Sequence, residues 1–313
     1  MRIIVTGGLG FIGSNFVNLL SNTTDHELLI VDKVTYAADI NNIEGDIPLL
    51  KKDICDVTPE DLGEYDYIVH FAAESHVDNS IENGRPFLET NVMGTFNLVE
   101  CARKNKSLKK FIHISTDEVY GDMHDDLLIN KSAKESTNLN PSSYYSSTKA
   151  SSDLIVISAH RTFGLPYLIT RTCNNFGENQ NKEKFLPKIF DCIMNGETIP
   201  LYGDGLHQRE WMYVKDNVKV IYDLMIDDNV INEIYNIGTS VVHTNDSVYK
   251  NKELIELISK IIGKEVKFKY VTDRLGHDRK YRLSSLKLID FYESKGIKYN
   301  PKKIKDWLIE YYS

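Results

Sequence analysis

The chain opens Arg2-Ile3-Ile4-Val5-Thr6-Gly7-Gly8-Leu9-Gly10-Phe11-Ile12-Gly13. A short apolar run comes first. Glycines follow at 7, 10 and 13, and then Phe16, Val17, Leu19 and Leu20 recur at helical spacing. The order is strand, tight turn, helix. The first glycine permits the turn, the second lets the backbone approach a pyrophosphate, and the third lets the helix pack close to the strand. The helix start beyond the turn offers unpaired N–H groups to an anion. Asp32 ends the next apolar run, 32 − 13 = 19 residues further on. A carboxylate there accepts from the adenosine ribose hydroxyls and repels the 2′-phosphate of NADP. The stretch therefore predicts an NAD site with Gly7, Gly10, Phe11, Ile12, Gly13 and Asp32 in contact with the cofactor; the adjacent Lys33 pulls slightly against that choice.

The pattern repeats outward from this unit. Leu28 to Val31, Tyr67 to Phe71, Phe111 to Ile114 and Tyr167 to Thr170 are short apolar runs separated by amphipathic stretches, the longest being a predicted helix from about Tyr144 to Phe163. Continuous apolar strands divided by helices imply a parallel sheet covered on both faces, wound right-handedly into a doubly wound, Rossmann-type α/β fold. Asp53 and Ile54 follow the third run, Leu49-Leu50, where an adenine would lie. Phe71-Ala72-Ala73 ends a strand in small residues that let a cofactor pass close to the backbone. After about Arg171 the elements shorten, and Pro187, Gly196, Pro200, Gly203 and Gly205 punctuate them. We expect a dinucleotide-binding domain over 1–172, with a returning segment at about 214–240, and a smaller α/β substrate-binding domain over 173–313. The tail from Pro301 should close as a helix with Ile304, Trp307, Leu308 and Tyr311 on one face.

Composition bounds the partners. Lys and Arg number 37 against 45 Asp and Glu, so 37 − 45 = −8. An acidic chain of 313 residues is a poor general nucleic-acid binder, because it lacks the basic surface that displaces counterions. No apolar stretch approaches the roughly 20 residues of a membrane helix, and no secretory leader is visible. Cys55, Cys101, Cys173 and Cys192 are far apart and form no metal-ligand pattern. These readings place the chain in the cytoplasm, with reduced thiols and without a metal.

Tyr145 and Lys149 stand four apart, so they share a helix face. A nearby ammonium stabilises a phenolate, which predicts that the Tyr145 pKa falls from about 10 toward working pH and that the residue acts as a general base for a sugar hydroxyl. Thr116-Asp117-Glu118 follows the Phe111 to Ile114 run, at the strand end where parallel sheets bind ligands. Two neighbouring acids can divide acid and base duties when their environments separate their pKa values.

With these residues in view, the chain resembles the extended short-chain dehydrogenase/reductases, and within them the dTDP-glucose 4,6-dehydratase family. The resemblance rests on Gly7 to Gly13, Ala72-Ala73-Glu74-Ser75-His76-Val77-Asp78, Ser115-Thr116-Asp117-Glu118-Val119-Tyr120-Gly121, Tyr145 with Lys149, and Asp273-Arg274-Leu275-Gly276-His277-Asp278-Arg279, and it runs to about residue 290. It implies a tightly held NAD and a nucleoside-diphosphate hexose substrate. Tyr145 would take the C4 hydroxyl proton, Lys149 would hold the tyrosinate and the nicotinamide ribose, and Thr116 would bond near O4. Glu118 would remove the C5 proton and Asp117 would protonate the departing C6 hydroxyl. Ser75, Asn174, Asn175, Lys184, Tyr202, Arg209, Asn245, Arg274 and His277 would bind substrate, with Arg209, Asn245, Arg274 and His277 on the diphosphate. The resemblance also implies a homodimer in which Thr90 to Arg103 and Tyr144 to Phe163 form a four-helix interface.

The departures gather where substrate is chosen. The family's Arg-Asp-Trp is Arg209-Glu210-Trp211 here, and Asn-Asn-Tyr-Gly-Pro is Asn174-Asn175-Phe176-Gly177-Glu178. The stretch after Gly238 is also altered, and the segment between Tyr36 and Asp66 is short. The expected product is a 4-keto-6-deoxy sugar nucleotide. A UDP-glucose or UDP-N-acetylglucosamine substrate, with or without C5 inversion, stays open beside dTDP-glucose. A sugar-nucleotide 4-epimerase is the rival, and it needs no Asp117-Glu118 pair.

Overall fold

The structure is a computed structural model that describes residues 1–123, 132–239 and 247–312. The strands are, in chain order, β1 (Arg2–Thr6), β2 (Glu27–Asp32), β3 (Leu49–Lys51), β4 (Tyr67–His70), β5 (Lys110–Thr116), β6 (Tyr167–Thr172), β7 (Asn174–Phe176), β8 (Thr198–Tyr202), β9 (Gln208–Tyr213), β10 (Glu233–Ile237), β11 (Val248–Lys250) and β12 (Lys267–Val271). Seven of them make one sheet in the order β10-β6-β5-β4-β1-β2-β3, with every pairing parallel.

The two-sided burial of this sheet can be followed residue by residue. Successive strand side chains point to opposite faces. Ile3 and Val5 enter one apolar cluster while Ile4 enters another. Ile112 and Ile114 divide from Phe111 in the same way, as does Leu168 from Tyr167 and Ile169. The first cluster is closed by Phe16, Val17 and Leu20 of the helix Phe11–Thr23 and by Val218, Ile221 and Leu224 of the helix Val214–Ile226. The second is closed by Leu98, Val99 and Ala102, and by Val156 and Ala159 of the helix Tyr144–Phe163. That is why unbroken apolar runs, rather than alternating ones, form the strands.

Strand order reverses between β1 and β4: β2 and β3 lie on one side, β5 and β6 on the other. A crevice opens at such a switch point, beyond the carboxyl ends of the strands. The chain returns to this sheet late, because its edge strand is β10. A third cluster gathers Phe176, Leu186, Ile189, Trp211, Leu254, Ile258, Ile304 and Leu308 around the small sheet β11-β9-β7, apart from the main sheet.

Two local expectations are refined. The predicted helix from Thr90 begins as a wider, π-type stretch over Leu88–Gly94 and becomes α-helical over Thr95–Ala102. The closing helix Ile304–Tyr312 buries Ile304, Trp307 and Leu308 but leaves Tyr311 mostly exposed, stacked on Trp307 at 5.0 Å between centroids. No helix among the described residues is long and apolar enough to cross a membrane.

Candidate active site

One cleft at the switch point collects most of the residues singled out from sequence. Its lining includes Gly7, Gly10, Phe11, Ile12, Gly13 and Asp32 from the first two strand ends, Ile54, and Phe71, Ala72 and Ala73 from the end of β4. Thr116, Asp117, Glu118, Tyr145, Lys149, Ser75, Asn174, Asn175 and Lys184 complete it.

The glycines are demanded by space. Gly7 has φ +69°, and a Cβ there would lie 2.5 Å from the Ala72 nitrogen. A Cβ on Gly13 would lie 2.2 Å from the Gly7 carbonyl oxygen. Side chains are thus excluded where the turn, the helix and the end of β4 meet. Asp32 is buried at the end of β2, with its Oδ2 accepting from Leu9 N–H at 3.2 Å and its Oδ1 from Val34 N–H at 2.8 Å. The anion-accepting helix start, the bare backbone and the acid form a cradle that fits a dinucleotide. Asp53 stands just outside the lining: its Oδ1 caps Cys55 N–H, and its Oδ2 lies 3.6 Å from Lys33. Lys33 is the neighbour that sequence reading undervalued. It lines the cleft, donates to Thr90 and also faces Glu74 at 3.5 Å.

Thr116 ends β5, and its hydroxyl accepts from Glu118 N–H at 3.3 Å, starting the single turn Asp117–Tyr120. That cap turns two adjacent carboxyls into the cleft. Burial, with the neighbouring Glu118 second, pushes the Asp117 carboxyl well above its usual range. Its Oδ2 is buried and meets no hydrogen-bond partner among the described residues. Burial raises Glu118 too, but Arg274 and Arg209 oppose the rise. The two acids therefore differ in surroundings: burial raises Asp117 with little to oppose it, and Glu118 has two cations that favour a carboxylate.

Tyr145 and Lys149 lie on the first turns of the helix Tyr144–Phe163, which starts in a reciprocal cap between Ser143 and Ser146. Lys149 Nζ donates to the Ile114 carbonyl at 2.7 Å, and burial pushes its pKa down to about 8. The Tyr145 phenol departs from expectation. Burial and then Glu118 push it up, and the hydrogen bond with Thr116 only partly offsets them. The ammonium four residues on is outweighed by the loss of water and the two carboxyls.

Tyr202, Arg209, Arg274 and His277 lie in a second group next to the cleft. Arg274 and Tyr202 both reach Asp78, at 3.5 Å each. Arg209 is buried against the Tyr281 ring at 4.3 Å and donates to the Asp278 carbonyl. His277 Nδ1 lies 2.7 Å from Asp273, and His207 Nε2 lies 3.1 Å from the same carboxylate. The two imidazoles stack at 3.6 Å and 11°. Lone pairs lie in the ring planes, so parallel rings cannot aim both at one metal ion. Asn245 lies outside the described residues. Sequence reading missed His70, His113, Asp153 and Arg171, a fully buried polar group behind the cleft. Asp153 was findable, because it continues the Tyr145, Lys149 stripe by four residues.

A parallel sheet with this glycine turn, this acid at the end of β2 and a Tyr145, Lys149 pair defines an extended short-chain dehydrogenase/reductase. The sequence pattern of the NAD dependent epimerase/dehydratase family matches residues 3–238, and the chain belongs to that family. It is 42% identical over 294 residues to the low-salt glycan biosynthesis protein Agl12 of Haloferax volcanii, covering 92% of this chain and 91% of that one. It is 38% identical over 311 residues to the dTDP-glucose 4,6-dehydratase of Haemophilus influenzae, again covering 92% and 91%. Among solved structures, it matches the dTDP-glucose 4,6-dehydratase DesIV of Streptomyces venezuelae, bound to NAD and TYD, with a TM-score of 0.88 and 36% identity over 99% of this chain and 95% of that one.

Proposed function

We propose that the chain is an NAD-dependent 4,6-dehydratase that converts a dTDP- or UDP-linked hexose to its 4-keto-6-deoxy product with loss of water. One observation carries this reading: a buried Asp117 with an unpartnered oxygen among the described residues stands beside a Glu118 that has Arg274 and Arg209 nearby, in the same cleft as Tyr145 and Lys149. A 4-epimerase needs the tyrosine and lysine but has no use for an elimination pair.

Bound NAD supplies the hydride acceptor for C4 and later the hydride donor for C6. Tyr145 takes the C4 hydroxyl proton as the tyrosinate, the form that the Lys149 ammonium would have to hold against burial, with Thr116 steadying the same oxygen. The new carbonyl acidifies C5–H. Glu118 accepts that proton, Asp117 donates its own to the C6 hydroxyl, and water leaves. As C6 is reduced, Glu118 returns its proton to C5, and the proton taken up by Tyr145 replaces the one that Asp117 gave. Arg209, Arg274 and His277 hold the diphosphate, for which the planar arginine fork is suited. Lys184 and Tyr202 face the nucleoside. We place the enzyme in the cytoplasm as a homodimer. Support for pairing comes from Phe96 and Leu154, which are 49% and 57% exposed, with Leu88, Met93 and Phe163 alongside. Leu98 and Val99, on the same helical segment as Phe96, lie in the chain's own core.

The test is direct. The purified protein is incubated in turn with dTDP-glucose, UDP-glucose and UDP-N-acetylglucosamine, and products are read by mass. Loss of one water to a keto sugar from any of the three supports the reading. Change at C4 with the C6 oxygen kept would make it an epimerase.

A further inference from the structure

The proposed chemistry leaves a buried polar group unused directly behind it. Tyr145, Lys149 and Asp153 follow one another at i, i+4 spacing along the helix Tyr144–Phe163. Tyr145 and Lys149 open on the cleft, whereas Asp153 is wholly covered. A carboxylate shut away from water is costly unless its lone pairs are occupied. Two strands surround it. Arg171 Nε on β6 donates to Asp153 Oδ2 at 2.9 Å. On β5, His113 Nε2 lies 3.4 Å from Oδ1, and neither Oδ1 nor the buried Ser115 hydroxyl has a hydrogen-bond partner among the described residues. Ser115 and Arg171 are partners in register, and His113 shares their face because strand side chains alternate.

Arg171 also reaches the other half of the machinery. Its NH1 donates to the Tyr120 hydroxyl at 2.8 Å, and Tyr120 belongs to the turn that carries Asp117 and Glu118. Tyr120 is held in turn by Asn236 at 2.8 Å. The contacts therefore run from the Lys149 helix through Asp153, Arg171 and Tyr120 to the acid pair.

We infer that Asp153 is a positioning residue for the dehydration, keeping Lys149 charged while Arg171 and Tyr120 brace the Tyr145–Lys149 pair against the Asp117–Glu118 turn. The inference rests on the proposed function. Its electrostatic half follows from what surrounds Lys149. The ammonium is buried and bonded to a neutral carbonyl, and Asp153 is the group that raises it against burial. His70 on β4 and His113 on β5 are buried and held well below the usual imidazole range, so they stay neutral. Tyr120 is pushed up to about 12 and stays protonated. Glu135 lies on the far side, with its carbonyl on Arg171. Tyr145, Asp117 and Glu118 face the cleft side, and burial raises all three.

Asp153→Asn keeps the shape and removes the charge. The first readout needs no turnover. Full-length protein with bound dinucleotide and 13C-labelled lysine is titrated by NMR, with Lys149 assigned from the signal lost in Lys149→Met. In Asp153→Asn the Lys149 midpoint should fall by about one pH unit or more, the size of change a close opposite charge produces. The alkaline limb of kcat should move down with it, with KM little changed. Arg171→Gln removes the opposing positive charge, so its midpoint should move up, and it carries the test where Asp153→Asn does not fold. A Lys149 midpoint unmoved in the folded variants, or moved the same way by both substitutions, overturns the inference. A wild-type protein that dehydrates no nucleotide sugar overturns the proposed function instead, and the NMR result separates the two failures.

Discussion

Asp117 and Glu118 are neighbours in sequence but not in surroundings. Asp117 has a buried oxygen with no partner among the described residues, while Glu118 has Arg274 and Arg209 nearby. That difference suits the acid and base roles proposed for them, and it has a stability consequence. The folded-state pKa of Asp117 is raised above its unfolded value. Its contribution to stability is therefore present at low pH and lost as pH rises through the folded pKa. Asp117→Asn should raise the melting temperature more at pH 8 than at pH 5, while lowering kcat by roughly 10²–10⁴-fold, as removal of a general acid does. Calorimetry at the two pH values and product assays check both halves. Tyr145→Phe should lose turnover on the same scale yet keep its bound NAD, seen by absorbance after denaturation. Lys149, pushed down to about 8, should place the alkaline limb of activity near that pH.

At the scale of elements, the helix Tyr144–Phe163 presents Tyr145 and Lys149, the proposed catalytic pair, with its first turn fixed by the Ser143–Ser146 cap. Ser143→Ala should cost about 1 kcal/mol, measured by urea unfolding. Gly13→Ala should displace the first helix from its turn, since the added carbon would meet the Gly7 carbonyl. The expected result is protein that loses NAD on gel filtration. The helix, the glycine turn and the parallel strands were legible in sequence because each has a local signature: period 3.6, spacing of three, unbroken apolar runs. The π-type stretch Leu88–Gly94 was not, because its wide turns suit local packing around Asn91 rather than any propensity. Nor was the upward push on Tyr145, which depends on burial by groups distant in the chain.

For the whole molecule, the −8 balance is compatible with the two anion sites proposed above because charge is arranged locally. One is the helix start at Gly10 to Gly13, and the other is the Arg209, Arg274 and His277 group, whose members come from segments far apart in the chain. Exposed Phe96 and Leu154 predict self-association, so light scattering at micromolar concentration should give twice 35.9 kDa; a mass of one chain would remove the dimer. The proposed reaction, loss of water from a nucleotide sugar in this cleft, is tested most directly by mass spectrometry of dTDP-glucose, UDP-glucose and UDP-N-acetylglucosamine, each incubated with the purified protein in deuterated water. One of them should lose a single water and take up deuterium at C5, where Glu118 is proposed to exchange the proton. Recovery of all three unchanged, or of a product that keeps its C6 oxygen, would contradict it.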